Sequence, residues 1–294
     1  MTASPISDTK KGSLLGLAGV LVLVPDALII KLLDLPPLPV IFWRAMFSGL
    51  AILGYVYFTK RKDFFKFYKS LGISGLVLGC IYGVGNLFFV LAITYTSSAN
   101  ALVTISINPL FTAILSFFIL KEKARWDTLL AFFFCMIGIL IFFYDGMNSD
   151  GLLGILFALP CAFVLAIQFV YLRKFRHLKL FPCMAYGTFI LVIISGILGE
   201  VDIPPSKISL LAFNGVFTSA LAFSLIFSAV KYISATYISL FLLLETVLGP
   251  YLVWLILDED ISRDTIIGSA IIIFTLAMYF MRRLFNSKAK LSDR

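Results

Sequence analysis

Apolar residues along this chain fall into runs of about 20, separated by short polar connectors such as DLPPLP at 34–39 and GEVDIPPS at 199–206. A helix needs about 20 apolar residues to cross the hydrocarbon core of a bilayer. Each run is therefore a candidate membrane span, and the prolines and glycines between runs mark the ends of helices. The pattern predicts ten spans, at 13–33, 38–58, 70–93, 97–119, 125–144, 150–172, 180–199, 207–230, 234–257 and 262–283.

Composition supports a chain that is solvated by lipid. Hydrophobic residues make up 61% of the 294 residues and charged residues 14%, whereas a soluble domain is about 45–50% apolar and about 25% charged. The connectors are too short to hold a soluble domain. We therefore expect an all-α integral membrane protein with ten transmembrane helices.

The basic residues predict the orientation of these helices. With a cytoplasmic N-terminus, most of the 24 Lys and Arg residues fall on the cytoplasmic side, in clusters at 10–11, 60–69, 121–125, 173–179 and 282–294. This is the positive-inside distribution, and it places both termini in the cytoplasm of a multi-pass protein of the cell (inner or plasma) membrane. It also explains the net charge of +8 by topology and contact with anionic lipid, rather than by nucleic-acid binding.

The residues that commonly bind metals are sparse and scattered. The four cysteines lie inside apolar runs without a C-x-x-C pair, and the single histidine, His177, lies in a basic connector. This distribution predicts no disulfide framework, no metal site and no cofactor.

Two segments of the chain repeat each other. INPLFTAILSFFILKE at 107–122 aligns without gaps with LETVLGPYLVWLILDE at 244–259, at an offset of 137 residues (259 − 122). The same offset matches Tyr95 with Tyr232. Because five spans separate the copies, the halves must insert in opposite orientations, as in transporters built from inverted repeats. We expect one five-helix repeat over 13–144 and a second over 150–283.

Here the chain resembles the drug/metabolite transporter superfamily, of the EamA type. The first copy, from Asn108-Pro109 to Glu122, is similar to that family's fourth-helix pattern, and FWRAMF supplies an arginine near the start of the second span. The second copy departs from the pattern, since it has Glu245-Thr246 in place of Glu-Pro and a displaced Pro250. The resemblance implies a central cavity lined by spans 1, 3, 4, 6, 8 and 9, for amino acids, nucleotide-like compounds or other metabolites.

Two sets of charged residues lie at membrane depth, where an ionisable group costs at least about 2.5–3.5 kcal/mol and normally faces protein or water. Glu245, in the middle of the ninth span, is either a cavity carboxylate for an ammonium or a proton, or a structural acid. Asp26 and Arg44 lie at similar depths below the same membrane face and could form an ion pair. Pro25 breaks the helix beside Asp26, which is one indication of a transport site. A structural salt bridge is the equal alternative.

The remaining candidates are polar or helix-breaking residues within the spans. Asn108 is the partner of Glu245 at the repeat offset, so we expect the two to line one cavity. Other substrate or coupling candidates are Asn86, Gln168, Tyr82 and Tyr237. Kink or gating candidates are Pro25, Pro109, Pro160 and Pro250.

The sequence favours a secondary transporter of a small polar metabolite, an amino acid or related compound, by export or exchange. No Walker-type loop and no catalytic motif is present, so we expect neither an ATP-driven pump nor an enzyme. A facilitative channel or a lipid-handling protein is the alternative, and an intramembrane enzyme ranks below both. The expected partners are the substrate and membrane lipid. The sequence leaves open proton coupling and whether the chain is a monomer or a homodimer.

Overall fold

The fold of the chain is helical throughout the part that the structure describes. The structure is a computed structural model, and it describes residues 5–120, 130–131, 133–138, 140–141, 151–175, 181–233, 235–259 and 263–292. Within these ranges there are helices and turns and no strand.

Twelve α-helices can be bounded in these ranges, and the described residues between 130 and 141 are also helical. The helices are α1 (Pro5–Leu23), α2 (Asp26–Leu33), α3 (Pro37–Lys60), α4 (Phe64–Tyr95), α5 (Ser98–Ile105), α6 (Asn108–Leu120), α7 (Leu152–Lys174), α8 (Met184–Leu198), α9 (Pro205–Phe213), α10 (Ala222–Ala229), α11 (Ala235–Leu257) and α12 (Arg263–Ser292). A π-helical segment, Asn214–Leu221, joins α9 to α10.

The chain is a multi-pass membrane protein. Among the described residues, seven helical stretches are long and apolar enough to cross a bilayer, and Leu244–Leu257 and Ile266–Thr275 are shorter apolar helices. Large apolar side chains cover the outer surface, with Phe118 70% and Ile197 79% exposed. Such a surface is stable in lipid, because lipid solvates apolar side chains that water would not.

Most predicted spans agree with these helices to within a few residues, and three differ. The first predicted span, 13–33, begins eight residues after the start of α1 at Pro5. The third predicted span, 70–93, is the second part of α4, which already begins at Phe64 and is bent at Gly72. Gly72 has φ = +56°, a left-handed conformation that glycine adopts at no steric cost. The last helix extends beyond the predicted 283 to Ser292. Most of the predicted fifth span, 125–144, lies outside the described residues.

Two of the membrane spans are broken within the bilayer. The first is interrupted at Val24-Pro25, between α1 and α2. Pro25 has no N–H to continue the hydrogen-bond ladder of the helix. The fourth is interrupted at Ser106-Ile107, and Pro109 follows in the first turn of α6. Both breaks therefore lie in the first half of the chain, at the depth where the polar side chains collect.

The first and second halves pack against each other over a large area. Helix α4 packs on α7 and α8, α3 packs on α8, and α1 packs on α10 and α11. The crossing of α4 with α8 is especially close, because Gly79 and Gly83 face Gly187. A Cβ at Gly187 would clash with the carbonyl oxygen of Gly79 and lie 2.8 Å from the amide nitrogen of Gly83. Small residues allow helices to associate this closely in membranes.

We expect Gly187→Ala to destabilise the protein by about 1–3 kcal/mol, as overpacking does in other tightly packed interiors. Gly54→Ala is the matched control, since a Cβ there meets nothing within 4 Å. Thermal unfolding of the purified variants in detergent measures the difference. Equal melting temperatures for the two variants would contradict the close crossing of α4 and α8.

Candidate functional site

The centre of the site is a buried ion pair between α2 and α3. Nη2 of Arg44 lies 2.6 Å from Oδ2 of Asp26, and both side chains are 1% exposed. The break at Pro25 places Asp26 in the first turn of α2, where the unpaired N–H groups and the helix dipole stabilise a negative charge. The sequence suggests this ion pair because Asp26 and Arg44 lie at similar depths, and the structure contains it.

The second oxygen of Asp26 is bonded by the other half of the chain. Nδ2 of Asn214 donates to Oδ1 at 2.6 Å, and Oγ1 of Thr218 donates to the same oxygen at 2.7 Å. Both residues belong to the π-helical segment. A π turn pairs residue i with i+5, so Asn214, Thr218 and Ser219 face the same side. An α-helix would turn Ser219 away from Asn214, because its period is 3.6 residues.

Arg44 extends the network in the opposite direction, into α4. Its Nη1 donates to Oδ1 of Asn86 at 3.2 Å, and its guanidinium lies 5.5 Å from the centre of the Phe89 ring. Nδ2 of Asn86 donates to the hydroxyl of Tyr82 at 3.3 Å. That hydroxyl is 2.8 Å from Oγ of Ser219, and 137 residues separate Tyr82 from Ser219, the same spacing as the sequence repeat.

A central cavity of about 70 Å³ adjoins this network. Its walls come from six of the predicted spans, 1, 3, 4, 6, 8 and 9, together with Arg44 of the second. These are the six spans that the family resemblance implied. The volume holds several water molecules and is well below the roughly 300–1,000 Å³ of typical ligand pockets. The polar side chains in the walls are Asp26, Arg44, Tyr82, Asn86, Ser106, Asn108, Gln168, Glu245 and Thr246.

Two of these polar side chains have no partner among the residues that the structure describes. Gln168 is 1% exposed, and neither its amide nitrogen nor its amide oxygen forms a hydrogen bond. Glu245 is 8% exposed and forms no hydrogen bond or ion pair within the described ranges. Burying unbonded polar groups is costly, so both are available to a ligand or to water. Asn108 is different, because its side-chain oxygen accepts from Thr112 at 3.2 Å.

A second polar cluster lies at one end of the bundle, beyond the cavity. The carboxylate of Glu259 accepts hydrogen bonds from the backbone N–H and the hydroxyl of Ser98, the latter at 2.6 Å. Nζ of Lys31 lies 3.3 Å from the same carboxylate and donates to the carbonyl oxygen of Thr96 at 2.7 Å. These contacts join the end of α2, the start of α5 and the second residue after α11. They fasten the two halves together at this end.

The structure brings together seven of the eight predicted substrate or coupling residues around one cavity; the side chain of the eighth, Tyr237, lies outside the described part. Their roles in binding remain predictions. Pro25 and Pro109 lie at helix breaks, whereas α7 and α11 continue through Pro160 and Pro250. Sequence reasoning did not select three residues that complete the site, Asn214, Thr218 and Ser219. Of these three, only Asn214 is conspicuous in the sequence, because it is an amide side chain within an apolar run.

Comparison with known proteins places the chain in a family. The sequence profile of the EamA-like transporter family matches residues 10–144 and 152–281, one copy in each half. The chain belongs to the EamA-like transporter family. Its two-repeat helical fold is the fold of this family, and the resemblance noted from the fourth-helix pattern is confirmed.

Individual relatives agree with this assignment. An uncharacterized transporter of Clostridium kluyveri is 30% identical over 217 residues, 69% of this chain and 70% of the relative. The uncharacterized transporter YoaV of Bacillus subtilis is 27% identical over 267 residues, 85% of this chain and 90% of the relative. A crystal structure with 18% identity superposes with a TM-score of 0.66 over 94% of this chain and 99% of its own. That likeness concerns the fold alone.

We expect Arg44→Met to destabilise the protein by about 3–5 kcal/mol, because it leaves Asp26 as a buried carboxylate without its cation. The double variant Asp26→Asn/Arg44→Met should recover part of that loss, since it removes the uncompensated charge. Unfolding of the two single variants and the double variant in detergent measures the coupling. Additive losses would show that the pair is not energetically coupled.

Proposed function

We propose that this chain is a secondary transporter of a small polar metabolite, an amino acid or a related compound, which it exports or exchanges by alternating access. The observation that carries the proposal is that Glu245 and Gln168, two buried polar side chains without partners among the described residues, both lie in the wall of one central cavity. A carboxylate binds an ammonium group, and an amide binds a carboxylate or an amide. Glu245 and Gln168 together suit a molecule that carries an ammonium group and a carboxylate or amide group.

The rest of the cavity wall is apolar, which strengthens the hydrogen bonds that Glu245 and Gln168 can form with a ligand. Phe89, Phe169 and Phe223 line the cavity together with aliphatic side chains. In such surroundings a charged hydrogen bond is stronger than in water, and an unpaired charge is costly. Glu245 therefore favours either a bound cation or a proton. Competition between the two at one carboxylate would couple substrate movement to a proton gradient.

Alternating access follows from the proposed architecture of ten transmembrane helices in two inverted five-helix repeats, 13–144 and 150–283. In such proteins one half rocks against the other around a central binding site. The contacts of Glu259 with Ser98 and Lys31 close the bundle at one end. A cavity of about 70 Å³ is smaller than typical ligand pockets, so we assign this conformation to the closed state of the proposed cycle. Opening would separate this cluster and widen the cavity.

Both termini are proposed to lie in the cytoplasm, with the chain in the inner or plasma membrane. The Lys31–Glu259 cluster then closes the outer side. The transport role makes catalysis unnecessary, and we propose that the chain has no enzymatic activity.

Cysteine labelling tests this orientation. In a background where the four native cysteines are replaced, Asp202→Cys should react with a membrane-impermeant maleimide in intact cells. Lys66→Cys should react only after permeabilisation. Both positions are exposed, so access to the reagent is decided by the side of the membrane. The reverse pattern would invert the proposed topology, and equal labelling in intact cells would contradict the helix count.

Transport in liposomes tests the site. We expect Glu245→Gln to reduce uptake of the transported amino acid by about tenfold or more, because the neutral amide cannot form an ion pair with an ammonium group. The substrate is first found by a thermal-shift screen of amino acids, nucleosides and cofactors, since a ligand that binds the native state raises its melting temperature. Glu200→Gln, at an exposed carboxylate outside the cavity, is the matched control.

Three further variants complete this test: Asp26→Asn, Arg44→Ala and Asn108→Ala, each with its stability measured in parallel. If these three and Glu245→Gln all moved substrate at the wild-type rate, the proposed site would be wrong. Loss of transport in the Glu200→Gln control alone would indicate a different route through the protein.

A further inference from the structure

A second and larger hollow lies on the outer surface of the bundle, near the basic end. Its volume is about 580 Å³, which is within the usual range of ligand pockets. The second half of α3 forms one wall, the π-helical segment and α10 form the other, and Phe67 and Phe181 lie along its side. Phe227 is itself part of the lining, and together with Ile52 it belongs to a buried cluster of the bundle.

The lining of this groove changes from polar to apolar with depth. Lys60, Thr59, Ser228 and Lys231 lie at the end nearest the membrane surface. The α3 wall then descends to Ala51, nine residues before Lys60, which is about 13 Å of helix. Half of a hydrocarbon core of about 30 Å is about 15 Å. The groove is therefore about one leaflet deep, with its charges at the headgroup level.

The deep part of the groove has an apolar lining. On the opposite wall it contains Val216, Phe217 and Ala220 of the π-helical segment. The rings of Tyr55 and Phe181 meet edge to face, with centroids 5.5 Å apart. Phe217 and Leu221 remain 44% and 40% exposed. Such a surface accommodates an acyl chain that lies along the helices.

The charge of the groove is positive and uncompensated in the described part of the chain. No acidic residue lines it. Neither Lys60 nor Lys231 forms an ion pair with a described carboxylate. Lys60 belongs to the basic cluster at 60–69, and Lys231 lies between the eighth and ninth predicted spans, on the side that the proposed topology assigns to the cytoplasm. A lysine near an anionic membrane surface strengthens binding to anionic lipid.

We propose that this groove binds one anionic phospholipid of the cytoplasmic leaflet, with its phosphate between Lys60 and Lys231 and an acyl chain along Tyr55, Ala51 and Phe217. The polarity, depth and charge of the groove each match a part of that molecule. A second copy of the chain would fit less well, since it would have to desolvate two lysines at a face without an acidic partner. None of the residues that line the groove also lines the central cavity.

The lipid would contact the π-helical segment on the side opposite to the ion pair. Asn214 and Thr218 of that segment bond Asp26, while Val216, Phe217 and Ala220 line the groove. A bound lipid therefore stabilises the segment that completes the central network. Lipid binding at this groove rests on the proposed orientation of the chain, and not on the identity of the substrate or on the transport mechanism.

Native mass spectrometry of the purified full-length protein tests the proposal, with dioleoyl phosphatidylglycerol and dioleoyl phosphatidylcholine as probes. We expect the wild type to retain phosphatidylglycerol in preference to phosphatidylcholine. Lys60→Gln/Lys231→Gln should weaken retention of phosphatidylglycerol by about tenfold. Lys66→Gln/Lys69→Gln, at two exposed basic positions outside the groove, is the matched control with the same change in net charge, and it should bind as the wild type does.

A second variant addresses the acyl chain. Ala51→Trp should fill the groove and lower retention of phosphatidylglycerol without any change in charge. Equal retention of the two lipids by the wild type, or equal losses in the two double-lysine variants, would overturn the proposal. Competition by soluble glycerol phosphate as strongly as by the lipid would also overturn it, in favour of a site for free phosphate.

Discussion

The ion pair of Asp26 and Arg44 is the interaction on which the organisation of this membrane protein depends. Two full charges at membrane depth are tolerated only when each is bonded to other groups. Asp26 meets this requirement with Arg44, Asn214 and Thr218, and Arg44 does so with Asp26, Asn86 and the Phe89 ring. The bonds join α2, α3, α4 and the π-helical segment. Since these elements belong to both halves of the chain, the pair fixes the halves against each other beside the cavity.

The features that depend on lipid as the solvent, namely the positions of the helices and of the charged residues within them, could be predicted from the sequence. Lipid requires apolar runs of about 20 residues, so the positions of most helices were evident. It also makes charged residues within these runs conspicuous, which is why Glu245, Asp26 and Arg44 stood out. The depths of Asp26 and Arg44, counted along two helices, then predicted their contact. Asn108 was found because the repeat offset links it to Glu245.

The features that depend on local backbone geometry could not be predicted in this way. Nothing in NGVFTSAL distinguishes a π-helical segment from an α-helix, and the alignment of Asn214, Thr218 and Ser219 depends on that difference. Hydroxyl residues are common in membrane helices, where they bond to backbone carbonyls of the preceding turn. The bend at Gly72 is similar, since the neighbouring glycines serve close helix packing instead. In both cases the local sequence is compatible with either backbone, so the residues themselves do not show which one forms.

The hydrogen bond of Tyr82 with Ser219 has a consequence for how the two halves can move. Residues that a twofold axis relates touch each other only at the axis itself, and this pair is separated by the repeat offset of 137. If the two proposed inverted halves exchange conformations, the Tyr82–Ser219 contact is the same in the two resulting states. In the proposed inverted-repeat architecture this contact can stay closed while contacts on either side of it open in turn. Because a tyrosine in one half contacts a serine in the other, the symmetry at this point is not exact, and the two end states should differ in energy.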